Sequence, residues 1–239
     1  MKSNRSIRFS WTRRITALIA AYMFVLSVCT PIAKAEGTPE QGGCVLLERM
    51  VSAYESAGRL QADFSLDTEF LANKHHSGTV SLERPCCLRV VFDAPQRKTF
   101  LANRDAQYEY LPDENKAYRY RTDTNFRPSE AYGLYLQMRQ FLAYVRPVGA
   151  EPLDDGLMRV RLVPVDSIPQ VSEIKLDIEE TSGMLRRAVV LNDKGDELLR
   201  LSLDGYAMPE EWPASHFEPP ADARIYTPMV ERDFLNSDR

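Results

Sequence analysis

Few side chains in this sequence are suited to chemistry. The histidines are His75, His76 and His216, and beyond residue 35 the cysteines are Cys44, Cys86 and Cys87. Hydrolysis or group transfer needs a nucleophile against a base, or an acid and a base flanking the reacting bond. His75-His76 falls in a predicted hairpin turn, which leaves both rings in water. The acidic residues fall mostly on the outward rows of predicted strands. The sequence has no nucleophile elbow, phosphate loop, zinc helix or dinucleotide fingerprint. The cysteines lack CxxC spacing and the histidines lack ligand spacing. The expectation is a protein that is not an enzyme, with no catalytic residue, metal or cofactor. Cysteine chemistry points instead to a disulfide from Cys44 to either Cys86 or Cys87. Adjacent strand residues point to opposite faces, so Cys44 reaches one of the pair and a thiol is left over.

One charge stands out. Leu60, Ala62, Phe64, Leu66 and Phe70 alternate with polar neighbours, the mark of a half-exposed antiparallel strand. Val80 and Leu82 repeat the pattern, and the next residue on their apolar row is Arg84, before Pro85. A guanidinium in that row needs a buried partner or a wet cavity.

The elements that would position these residues are mostly strands. A helix is expected over 44–57, from Val45, Leu46, Met50, Ala53 and Tyr54, ending at Gly58. Strands are expected at 60–71, 77–84, 87–93, 97–103, 106–111, 116–122, 157–164, 172–180, 184–192 and 196–206, with short closing strands at His216–Glu218 and Arg224–Tyr226. Tyr108 and Tyr110 are expected to meet Tyr118 and Tyr120 across a hairpin. Between the two runs of strands the period changes. Leu134, Tyr135, Met138, Phe141 and Leu142 lie on the broad apolar face of a helix expected over 130–145 and stopped by Pro147. The fold class is mainly β (α+β), with about ten or eleven strands on one antiparallel sheet. Such a sheet must curl or be covered, here by the two helices.

Residues 1–35 read as a cleaved signal peptide. Lys2, Arg5, Arg8, Arg13 and Arg14 precede an apolar run from Ile15 to Val28, and Ala33-Lys34-Ala35 supplies the cleavage site. Leu26-Ser27-Val28-Cys29 is an imperfect lipidation signal that would instead anchor the chain at Cys29. A single domain over 36–228 and a polar tail over 229–239 complete the organisation. Cleavage removes six basic and no acidic residues, so the formal charge falls from −4 to −10. That balance disfavours nucleic acid and anionic lipid surfaces. A soluble exported protein is expected.

The order of these motifs resembles the LolA-type periplasmic carriers of outer-membrane lipoproteins. The resemblance rests on Ala62-Asp63-Phe64-Ser65, on Glu83-Arg84-Pro85 where the family has Lys-Arg-Pro, on Asn103-Arg104-Asp105 before Tyr108 and Tyr110, and on Phe217 to Ile225. It implies an incomplete barrel closed by a helical lid, with lipoprotein acyl chains as cargo. It also implies an inner-membrane exporter complex and an outer-membrane acceptor. Arg84 matches the arginine that holds the family's lid shut. The cavity lining is expected from Phe64, Leu66, Val80, Leu82, Leu88, Val90, Tyr108 and Tyr110. Cys86-Cys87 replaces the family's aromatic residues and Arg104 its turn glycine, which marks a divergent member. The alternatives are a sensor or scaffold on the same fold, and a lipidated outer-membrane receptor if Cys29 is acylated.

Overall fold

The computed structural model describes residues 39–69, 73–85, 87–121 and 142–227. Within them helix α1 (Pro39–Ser56) precedes twelve strands: β1 (Arg59–Thr68), β2 (His75–Glu83), β3 (Cys87–Ala94), β4 (Lys98–Ala102), β5 (Ala106–Leu111), β6 (Lys116–Arg121), β7 (Val145–Pro152), β8 (Leu157–Pro164), β9 (Glu173–Glu179), β10 (Leu185–Leu191), β11 (Glu197–Ala207) and β12 (Arg224–Tyr226). They form one sheet in the order β12-β6-β5-β4-β3-β2-β1-β11-β10-β9-β8-β7, open at β12 and β7. The ladders from β2 to β6 and from β7 to β11 are antiparallel, and β12 runs parallel to β6. The described residues divide into two compact units, one of 39–57, 65–69, 73–75 and 142–204, the other of 58–64, 76–85, 87–121 and 205–227.

In the first unit α1 packs on β7 and β8. Leu46, Leu47, Met50, Val51 and Tyr54 recur every three or four residues and are buried, while Val45 is 60% exposed. Gly43 marks the closest approach: a Cβ there would stand 3.0 Å from Pro147 Cβ and 3.4 Å from Val160 Cγ1. Val160, Leu162, Ile174, Leu176 and Ile178 are buried on the sheet face beneath. On the opposite face Arg159 donates to both carboxylate oxygens of Asp177, at 2.7 and 2.9 Å. That pairing satisfies a carboxylate whose side chain is only 4% exposed.

Three expectations change here. The helix expected to begin at 44 begins at Pro39, since proline suits a first helical turn. The helix expected over 130–145 does not extend to Val145, because Leu142–Tyr144 is a 3₁₀ turn and Val145 opens β7. Pro147 reads as a helix stop, yet it lies in a strand at the sheet's end, where an N–H is not required, beside a register shift before Gly149. Leu142 is half-buried in that turn, whereas Leu134, Tyr135, Met138 and Phe141 lie outside the described residues. The second unit is the β2–β6 meander with the first half of β1, followed by 205–227. His216–Glu218 is a turn in that segment, not the expected strand.

Candidate functional site

Register divides the second unit into two unlike faces. On β2, β3 and β4, Val80 pairs with Val90 and Val90 with Phe100, and Leu82 pairs with Leu88 and Leu88 with Ala102. Opposed residues share a face, so these side chains, with Phe92 and Lys98, line one side. Phe64 of β1 joins them, its ring edge-on to Phe92 at 5.2 Å. Phe92 also meets Phe100 at 5.8 Å and the buried ring of His76 at 5.9 Å, each nearly perpendicular. Leu82 and Leu88 are buried, whereas Val90, Phe92 and Phe100 are half-buried.

The aromatic row depends on Gly78. A Cβ there would lie 1.7 Å from the Val91 carbonyl oxygen and 3.1 Å from the Phe64 ring. The glycine therefore lets β3 and Phe64 close in where the β2–β3 register shifts between Ser77 and Gly78.

Polar groups flank this row. Lys98 Nζ stands 5.1 Å from the Phe92 centroid and 5.0 Å from that of Phe100. Burial weakens its hold on its proton, and the charge of Glu109 strengthens it. Glu109 pairs with Phe100 and with Tyr118, which puts it on the same side. Its Oε2 accepts from Tyr120 Oη at 3.4 Å, and burial followed by the Glu109 charge pushes the Tyr120 phenol well above its usual range.

The other face is partly covered. Ser81, Arg89 and Leu101 stand opposite one another there, with Ser81 and Leu101 buried. The segment 208–227 crosses it as a strap. Arg89 Nη1 donates to the His216 carbonyl at 2.9 Å, Asn103 Nδ2 to that of Phe217 at 3.4 Å and Trp212 Nε1 to that of Leu82 at 3.4 Å. Arg59 pairs with Glu83 at 2.8 Å and donates to the Glu210 carbonyl. Further on, Asn115 Nδ2 donates to Asp222, and β12 joins β6. His216 stacks on Trp212 at 4.1 Å and meets Phe217 edge-on at 4.8 Å, with Nε2 buried and no hydrogen-bond partner. Burial first, then the Arg89 charge, lowers its affinity for a proton, against a smaller opposing pull from Glu83.

The expected cavity residues do not all come together. Phe64, Val80, Leu82, Leu88 and Val90 share the aromatic face, and Leu66 lies half-buried further along β1, in the first unit. Tyr108 and Tyr110 are on the strap face, since Tyr108 pairs with Leu101 and Tyr110 with Thr99. They do not meet Tyr118 and Tyr120. Leu111 pairs with Lys116 around the Pro112–Glu114 turn, so even positions of β5 face odd positions of β6. Arg84 follows the end of β2 in a turn, half-buried, its backbone N–H donating to the Gly58 carbonyl at 3.0 Å. Cys44 is exposed and Cys87 half-buried, with no bridge between these two, and Cys86 lies outside the described residues. His76 corrects a further expectation: its ring is buried in β2 beside Phe92, while His75 is exposed and contacts Asp67 at 2.8 Å.

Among the described residues no three His, Cys, Asp or Glu side chains are placed to hold a metal ion. No described helix is long and apolar enough to cross a membrane. The arrangement is that of a mainly β protein with an open sheet, whose second unit carries an apolar, aromatic face. The family model of the outer membrane lipoprotein carrier protein LolA matches residues 56–219, and the chain belongs to that family. Among solved structures, an uncharacterised conserved protein from Thermus thermophilus is similar at a TM-score of 0.56 and 17% identity, over 79% of this chain and 100% of that one. The MucA/MucB complex of Pseudomonas aeruginosa is similar at a TM-score of 0.50 and 13% identity, over 78% of this chain and 64% of that one. No curated protein matches the chain.

Proposed function

We propose that this protein is a periplasmic carrier that shields the acyl chains of lipoproteins or a related lipidic cargo on the face lined by Phe64, Val90, Phe92 and Phe100, and conveys them from the inner to the outer membrane. The observation that carries the reading is the contrast between the two faces. The strap hydrogen-bonds across one, whereas the other carries a row of aromatic rings, half-buried at Phe92 and Phe100. Burying apolar ligand surface there is favourable by about 0.8 kcal/mol per methylene, so an acyl chain needs no charged partner to bind. On this reading residues 1–35 are a signal peptide and the chain acts as a monomer between an inner-membrane exporter and an outer-membrane acceptor. Residues 130–141 supply the lid, and Arg84 is the latch that holds it.

The test is binding of a fluorescent acyl-chain probe to the purified protein. The expected affinity is about micromolar, on the order of −8 kcal/mol. Phe92→Asp should weaken it at least tenfold, and a charge change in the first unit, Arg200→Glu, should not. Absence of binding in the parent, or equal binding in Phe92→Asp with its fold intact, would overturn the carrier reading. The alternative of a sensor or scaffold that works through a protein partner would then take its place. MucB, seen in complex with MucA, is a protein of similar fold.

A further inference from the structure

Lys98 is an unusual residue for the face it occupies. It opens β4, directly across from Phe92, and its ammonium lies about 5 Å from two phenyl rings. A leucine or methionine of similar length would fill the same place without the cost of desolvating a charge. The two rings recover part of that cost through cation–π attraction, and the field of Glu109 offsets part of the proton affinity that burial takes away. Lys116, of the same parity as Tyr118 and Tyr120 on β6, is already bound to Glu114. Position adds a second constraint. Lys98 follows the exposed turn Pro95–Arg97, so it stands at the rim, while Phe100 and Val90 lead away from it along the apolar row.

We propose that Lys98 receives an anionic head group, a carboxylate or a phosphate, of an acyl ligand whose chain lies along Phe92, Phe100 and Val90. The inference rests on the carrier reading and narrows it from acyl chains in general to those that end in a negative charge. The geometry suits such a ligand at both ends. The rim lets water solvate the oxygens that Lys98 does not reach, and the row behind it takes the chain.

Three probes with the same sixteen-carbon chain, competed against the fluorescent probe, test this: palmitate, palmitoyl lysophosphatidate and neutral monopalmitoylglycerol. The parent should bind at least one anionic probe about tenfold more tightly than the neutral one, and which of the two is favoured separates carboxylate from phosphate. Lys98→Gln should remove that preference by weakening the anionic probe while leaving the neutral one unchanged, and Lys98→Arg should restore it. Equal affinities for all three in the parent, or a preference that survives Lys98→Gln, would overturn the assignment of Lys98 and leave the carrier reading standing. Failure of every probe to bind would overturn both. Circular dichroism and the unfolding midpoint of each variant establish that the fold is retained.

Discussion

At the scale of single residues, the two positions that most constrain the second unit are Gly78 and His216. Gly78 leaves no room for a methyl group, because the obstacle at 1.7 Å is the backbone oxygen of the neighbouring strand. Gly78→Ala must push β2 and β3 apart and move Phe64, so a loss of about 3 kcal/mol is expected, the upper part of the overpacking range. Chemical denaturation of parent and variant measures it. His216 binds its proton less readily folded than unfolded. The unfolded chain then holds more protons as pH falls below the ordinary value of 6.5, and stability falls with it. Its contribution is complete above that pH and is lost as pH drops toward the lowered folded value. Arg89 and Glu83 bear on the ring with opposite sign. The unfolding midpoint of the parent should therefore drop more steeply between about pH 7 and pH 5 than that of His216→Phe, which has nothing to titrate there.

At the scale of elements, α1 makes a comparable demand. Gly43 lies against Pro147 and Val160, so a branched side chain there would lift the helix from β7 and β8. Gly43→Leu should destabilise by about 3 kcal/mol despite leucine's better helix propensity, with the loss read in thermal unfolding. How much of the elements was legible in the sequence varied with the local signal. β1 and β2 carry period-two alternation, which sets Phe64 with Leu66 and Val80 with Leu82 on the apolar row of each strand. Alternation fixes parity only within one strand. The relation between strands depends on turn length, and the Pro112–Glu114 turn with Asn115 at φ 47° sets Tyr110 opposite Ala117. Phe100 and Lys98 were missed for a related reason, since their share in the aromatic row appears only once β3 and β4 are in register. β7 was hidden because Pro147 and Pro152 are poor strand residues except at a sheet's end. The strap was hidden because its hydrogen bonds run from Arg89, Asn103 and Trp212 to backbone carbonyls, a pairing that leaves no trace in residue periodicity.

At the scale of the whole molecule, the sheet has two ends, and both are poor templates for a further strand. β7 is interrupted by Pro147 and a register shift, and β12 has only three residues, Arg224–Tyr226. Proline, irregularity and brevity are the usual means by which an exposed edge avoids pairing with another chain. The strap has a consequence in time. The strands it crosses, β2 to β4, are synthesised more than a hundred residues before it, as the separation of 127 between Arg89 and His216 records. Until residues 208–227 have emerged, the face that holds Ser81 and Leu101 lacks the strap's hydrogen bonds. A chain threaded from its N-terminus thus completes the second unit only after the whole of the first has emerged. The wait is long by the measure of sequence separation, and the strapless intermediate offers apolar surface to any holdase that meets it.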